Sequence, residues 1–225
     1  MCSVIIVAAG QGKRIGGVPK QFRIIAGKAL LAYTVECFEA CPEIDEIVVL
    51  VPEQFKGLAK EILIGCKKIK EIVSGGRERQ DSVFNGLKVI SHNAEIILIH
   101  DGVRPFVTNA DITSVIEGAR MYGSCLPAVL VRETVKIVGL EGFVRETPDR
   151  SQIFLAQTPQ GFKAEIIKKA YEFAFKNIIF GTDDTVLVEK LGVPTKIIPG
   201  NYQNIKITTK EDLLIGEYLL RSTLQ

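Results

Sequence analysis

An apolar run from Val4 to Ala8 breaks directly into a glycine-rich turn, Ala8-Ala9-Gly10-Gln11-Gly12-Lys13-Arg14, with Pro19-Lys20-Gln21 close behind. Glycine lets main-chain N–H groups approach phosphate oxygens with no side chain in the way. Residues 1–35 also carry Lys13, Arg14, Lys20, Arg23 and Lys28, and no Asp or Glu. Positive charge beside glycine is what a polyphosphate seeks. Two named phosphate signatures fail here. GxGxxG and the Walker A pattern would each need glycine at position 15, which is Ile15. Glycines alone would make an ordinary solvated βα turn. Three cations in eight residues favour phosphate binding.

Further along, Gly75-Gly76-Arg77-Glu78-Arg79-Gln80-Asp81-Ser82 joins a strand-like to a helix-like segment. Glycines and a helix start again offer N–H groups to an anion. His100-Asp101-Gly102-Val103-Arg104-Pro105 closes the apolar run 96–99. A carboxylate there suits hydrated Mg²⁺ beside a nucleotide's phosphates, although Asp before Gly is also a turn former. His100 is expected to play a structural hydrogen-bonding role. Arg150 lies on a loop, and Thr182 can cap a helix in Gly181-Thr182-Asp183-Asp184. Lys206 sits in Asn204-Ile205-Lys206-Ile207-Thr208, where a buried side chain would need an anionic partner.

The elements that must hold these residues alternate. Strands are expected over 4–8, 46–51, 69–73 and 96–100, with helices over 29–40, 58–66, 80–90 and 112–122. The order βαβαβαβα predicts one α/β domain, a Rossmann-like, mostly parallel sheet flanked by helices. After Gly123 the rhythm changes. Strands over 128–138 and 142–147 around a glycine-containing turn suggest a β-arm projecting from the sheet, spanning 128–150. Helices over 163–176 and 183–191, strands over 153–156, 195–198 and 205–208, and a last helix from 210 complete the reading. No linker, low-complexity tract or repeat divides residues 1–225.

Composition narrows the classes. Of 225 residues, 47% are hydrophobic and 24% charged, ordinary for a folded globular chain. The net charge of +2 is too small for a nucleic-acid footprint. No apolar run is long enough to cross a bilayer, and Met1-Cys2-Ser3 carries no basic leader. Five cysteines without a CxxC pair suggest reduced thiols in a cytoplasmic protein. Two histidines and no GxSxG argue against a hydrolase triad. The failed GxGxxG disfavours an NAD-dependent oxidoreductase, and the several cations disfavour a non-catalytic nucleotide-binding module.

The turn Ala8-Ala9-Gly10-x-Gly12-x-Arg14 with Pro19-Lys20-Gln21 resembles the signature of the sugar nucleotidyltransferase superfamily. With Gly-Gly-x-x-Arg-x-x-Ser, His-Asp-Gly-x-Arg-Pro, Gln-Thr-Pro-Gln, Thr-Asp-Asp and Asn-Ile-Lys-Ile-Thr in order, the chain resembles the 2-C-methyl-D-erythritol 4-phosphate cytidylyltransferases of the non-mevalonate isoprenoid route. The resemblance implies Mg²⁺-dependent transfer of CMP from CTP to a sugar-alcohol phosphate. It implies catalytic roles for Arg14, Lys20, Arg150 and Lys206. It implies a CTP site of Ala8, Ala9, Gly10, Gly12, Lys13, Gly76, Arg79, Ser82, Asp101 and Gly102, with Asp101 at the metal. Thr158 and Thr182 would line the substrate pocket. Arg104 and Thr134 would reach the sugar phosphate from the partner of a homodimer joined by its β-arms. Val103 stands where alanine is frequent, and pentitol-phosphate cytidylyltransferases also carry valine there, so ribitol 5-phosphate is the alternative acceptor.

Overall fold

The computed structural model describes residues 1–10 and 18–223. In chain order the elements are β1 (Cys2–Val7), β2 (Ile24–Ile25), β3 (Lys28–Ala29), α1 (Leu30–Glu39), β4 (Glu46–Val51), α2 (Lys56–Ile62), β5 (Ile69–Ser74), α3 (Arg79–Val89), β6 (Ile96–Asp101) and α4 (Asn109–Tyr122). There follow β7 (Ser124–Leu130), β8 (Ile137–Val138), β9 (Val144–Glu146), β10 (Phe154–Ala156), β11 (Gln160–Lys163), α5 (Ala164–Lys176), α6 (Asp184–Lys190), β12 (Lys196–Pro199) and α7 (Lys210–Thr223).

The main sheet runs β10-β7-β11-β6-β1-β4-β5, with β12 added beside β7. Strands β6, β1, β4 and β5 are mutually parallel. They are the apolar runs that the sequence marks as buried on both faces, and every residue of β4 and β6 is buried. Alternation sorts their side chains. Val4, Ile6, Ile47, Val49 and Leu98 join α1 and α4 on one face, through Leu31, Val35, Phe38, Ile112 and Ile116. Ile5, Val48, Leu50, Ile97 and Ile99 join α3, α5 and α6 on the other, through Val83, Leu87, Ile167 and Leu187. The result is a three-layer α/β/α fold, as the sequence predicts.

Local chemistry explains the boundaries. In α4, Thr108 and Asp111 cap the first turn reciprocally, with Asp111 N–H donating to Thr108 Oγ1 at 3.1 Å and Thr108 N–H donating to Asp111 Oδ2 at 2.9 Å. Gly123, at φ 85°, ends that helix in a conformation that favours glycine.

Several expectations need correction. β7 occupies 124–130 inside the main sheet, so Ala128–Leu130 do not begin a free arm. The arm proper is the short β8–β9 hairpin, a separate two-stranded sheet. Residues 205–208 form no strand. β11 went unforeseen. It runs antiparallel between β6 and β7, and a Cβ at its Gly161 would lie 2.6 Å from Val115 Cγ1 of α4. The strand is thus defined by close packing against a distant helix. The helix expected over 58–66 starts earlier and stops at Ile62, before Gly65 at φ 98°.

Candidate active site

Chain order and sheet order reverse at one place. From β1 the chain steps to β4 and β5 on one side, then crosses back to β6 on the other. Such a switch point leaves a crevice at the carboxyl ends of β1 and β6. The last residues of those strands, Val7 and Asp101, are register partners. A cleft of about 600 Å³ opens there.

Three loops form its floor by fitting against one another. A Cβ on Gly75 would lie 2.2 Å from Ala9 Cβ, and one on Gly102 would lie 2.7 Å from Ala8 Cβ. Glycine at both places lets the ends of β5 and β6 press against the turn after β1. Gln21, 1% exposed, holds that turn from behind by donating from Nε2 to the carbonyls of Ala8 at 2.6 Å and Gly10 at 3.1 Å. Ser82 Oγ accepts from Gly76 N–H at 2.9 Å and joins the second loop to α3.

Charge converges on Asp101. Its Oδ2 lies 2.9 Å from Lys206 Nζ and 3.3 Å from Arg104 Nε, and its Oδ1 lies 4.0 Å from Arg79 Nε. Burial by itself would raise the Asp101 pKa. The charges of Lys206, Arg79 and Arg104 outweigh it and hold the carboxyl well below the usual range. Arg79 in turn pairs with Asp184 Oδ2 at 2.6 Å. Asp184 is fully buried and also accepts from Tyr171 Oη at 2.5 Å.

Beneath Asp101 a neutral relay fixes the backbone. Asp101 N–H donates to Thr158 Oγ1 at 3.0 Å, and Thr158 Oγ1 lies 3.1 Å from His100 Nδ1. His100 Nε2 faces the Arg104 carbonyl at 3.0 Å. That carbonyl can only accept, so Nε2 carries the proton and Nδ1 accepts from the Thr158 hydroxyl. Burial drives the His100 pKa down to about 4. A neutral imidazole with both nitrogens engaged is scaffold, as the sequence suggests.

The cleft therefore gathers Ala8, Ala9, Gly10, Lys20, Gly76, Arg79, Ser82, Asp101 and Lys206 along its lining. Gly102 is packed against Ala8, directly behind it. Gly12, Lys13 and Arg14 lie outside the described residues. Arg104 and Thr158 are buried beneath Asp101 and belong to the scaffold of this chain's own cleft. Thr134, Arg150 and Thr182 are exposed and do not line the cleft. The cap of α6 is Asp183, which accepts from Val186 N–H at 3.1 Å, and Thr182 stands outside it. Sequence reasoning assigned no role to Gln21 or Glu78, which also line the cleft, as does Val103. Gln21 stands next to a pocket lysine, but nothing in the local sequence signals that it turns inward.

Mg²⁺ is commonly held by one or two carboxylates together with substrate phosphates and water. Asp101 fits that donor set. Its Oδ2 is taken by Lys206 and Arg104, whereas Oδ1 has only the more distant Arg79 among the described residues.

An open α/β sheet with a glycine-lined, cationic cleft at its switch point is built to receive a nucleotide by its phosphates. The family model for 2-C-methyl-D-erythritol 4-phosphate cytidylyltransferase matches residues 2–222. A protein of that name from Syntrophus aciditrophicus (strain SB) is 44% identical over 96% of this chain and 94% of its own length. Another from Clostridioides difficile (strain 630) is 45% identical over 98% of this chain and 94% of its own length. The crystal structure of 4-diphosphocytidyl-2C-methyl-D-erythritol synthase from Anaerococcus prevotii DSM 20548 superposes with a TM-score of 0.88. It has 32% identity and covers 98% of this chain and 96% of that one. The chain belongs to the 2-C-methyl-D-erythritol 4-phosphate cytidylyltransferase family, and is an enzyme of the cytidylyltransferase class. No described helix is long and apolar enough to cross a membrane.

Proposed function

We propose that this chain transfers CMP from CTP to 2-C-methyl-D-erythritol 4-phosphate, giving 4-diphosphocytidyl-2-C-methyl-D-erythritol and pyrophosphate. One observation carries the mechanism: Lys206, Arg104 and Arg79 converge on Asp101 at the switch point, beside the glycine turn and Lys20. A phosphate monoester is mostly dianionic at pH 7. It already carries a nucleophilic oxygen, so no general base is required. That oxygen attacks the α-phosphorus of CTP, a new P–O bond forms, and the bond to the β-phosphate oxygen breaks. Pyrophosphate leaves with the electron pair. The obstacle is repulsion among four phosphoryl groups, which fixed cations and oriented N–H groups relieve. Lys20 and Arg14 act at the triphosphate, and Lys206 and Arg150 at the acceptor phosphate. The CTP site comprises the main chain of 8–12, with Lys13, Gly76, Arg79, Ser82 and Gly102.

Asp101 would hold Mg²⁺, which when bound would supply charge neutralisation at the triphosphate. Residues of the β8–β9 arm serve a partner copy in a homodimer. This reading gives a use to Leu140, Phe143 and Val144, which are exposed on the hairpin, and to Thr134 and Arg150, which flank the hairpin and stand outside their own chain's cleft. The protein works in the cytoplasm, in keeping with five unpaired cysteines.

Pyrophosphate release measured side by side with 2-C-methyl-D-erythritol 4-phosphate and ribitol 5-phosphate tests the assignment. Turnover dependent on the first acceptor is expected, and preference for ribitol 5-phosphate would overturn it. Chelation should abolish turnover and added Mg²⁺ restore it. Light scattering should report a dimer.

A further inference from the structure

Lys206 reaches Asp101 from a segment with no secondary structure of its own. A flexible lysine on an irregular segment is poorly placed unless something else fixes the backbone. Here the side chains of Gln157 and Arg104, from elsewhere in the chain, and of Asn204, within the segment itself, do so. Gln157, 6% exposed, aligns its amide with the main chain of Asn201. Its Nε2 donates to the Asn201 carbonyl at 2.8 Å, and its Oε1 accepts from Asn201 N–H at 3.2 Å. Asn204, 1% exposed, donates from Nδ2 to the Thr158 carbonyl at 2.9 Å. Arg104 spans both partners, with Nη1 donating to the Asn204 carbonyl at 2.7 Å and Nε to Asp101 Oδ2 at 3.3 Å. One residue past Lys206, Ile207 N–H donates to the Val103 carbonyl at 2.9 Å.

These contacts bracket Lys206 on both sides in sequence. They anchor it to the two loops, 101–104 and 157–158, that position Asp101. We infer that Gln157, Asn204 and Arg104 are positioning residues for the acceptor step: they form a side-chain clamp that replaces a strand and sets Lys206 against Asp101. The side-chain bonds from Gln157 and Asn204 go to the main chain of Asn201 and Thr158, so their loss should be felt through Lys206. The inference rests on the proposed role of Lys206 at the acceptor phosphate.

The test is a double-mutant cycle on the full-length protein. Asn204→Asp keeps the shape but replaces the donor facing the Thr158 carbonyl. Gln157→Leu keeps the volume and removes both bonds to Asn201. Each is combined with Lys206→Ala. Each single variant should lower kcat/KM for 2-C-methyl-D-erythritol 4-phosphate by about tenfold, the scale of one buried hydrogen bond lost. The KM for CTP should change by less than about twofold, since the clamp acts through Lys206. In the Lys206→Ala background neither change should cost anything further. Multiplicative losses in that background would overturn the clamp while leaving the role of Lys206 intact. If Lys206→Ala itself spared acceptor use, the reading of Lys206 would fall instead. If one variant does not fold by thermal melting, the other decides.

Discussion

Arg79 and Asp184 lie 105 residues apart in sequence and meet at 2.6 Å, Nη2 to Oδ2. This pair fastens the start of α3, which lines the cleft, to the start of α6, which does not. Asp184 is fully buried and Arg79 is 30% exposed. Removing one partner of a buried pair leaves the other uncompensated, and that loss usually exceeds the net worth of the pair. Asp184→Asn should therefore lower unfolding stability by about 3 kcal/mol, the low end for such a break because Arg79 keeps some solvent. It should also raise the KM for CTP, since Arg79 loses its anchor. Denaturant titration and initial-rate kinetics read the two effects. Unchanged stability would show that water replaces the carboxylate.

Lys20 is the cation of the glycine-turn region that the described residues place in the cleft. If it stabilises charge that develops in the transition state, Lys20→Ala should lower kcat by about 10²–10³. A change confined to KM would assign Lys20 to ground-state binding.

Lys206→Ala removes the closest cation from Asp101 but leaves Arg104 and Arg79 beside it. The prediction is a loss in kcat/KM for the sugar-alcohol phosphate, with CTP affinity by calorimetry nearly intact. Equal loss of both would place Lys206 at the triphosphate.

His100 gives a pH signature. Burial lowers its pKa from the ordinary 6.5 to about 4, so the unfolded chain binds the proton first as pH falls. Stability from this group is complete above about pH 6.5. It declines as pH falls to about 4, where the folded form also protonates. The difference of about 2.5 units corresponds to about 3 kcal/mol. Asp101, whose folded pKa is also lowered, adds its own loss below its unfolded value near 3.8. Urea titrations between pH 7 and 4 should show the decline, and His100→Gln should flatten it. A slope unchanged in that variant would point to other groups.

The fit between Gly75 and Ala9 predicts a rescue. Gly75→Ala would put a methyl 2.2 Å from Ala9 Cβ, with no flexible side chain to give way. Overpacking of this kind costs about 1–3 kcal/mol and should displace the turn that receives phosphate. Adding Ala9→Gly should recover most of the lost CTP binding. Failure of the double variant to recover would show that Gly75 matters for its backbone alone.

How much of this was legible in advance follows from the range of each signal. Val4–Val7, Glu46–Val51 and Ile96–Ile99 read as buried parallel strands because burial on both faces needs an unbroken apolar run, which is a local property. The glycine runs and the carboxylate that follow such strands marked Ala8–Gly10, Gly76 and Asp101 as ligand-binding residues, whereas the switch point that brings them together is a property of the strand order in the folded sheet. The cations Lys20, Arg79 and Lys206 were visible as residue types in glycine-rich or apolar surroundings. Where the sequence misled, the deciding partner lay far away. Ile205–Thr208 alternates like a strand, yet Gln157, Asn204 and Arg104 hold it as irregular chain. Arg104 was expected to reach outward to a partner copy, and lies buried against Asp101 and Asn204. Asp184 is an acid in the first turn of α6 and also the buried anchor of Arg79, a role with no local signal. Apolar periodicity is written along the chain, so the sequence alone determined the layers and marked residues at the mouth of the cleft. A hydrogen-bond or ion partner is chosen by proximity in space, so only the folded chain decided which polar groups face substrate and which hold the others in place.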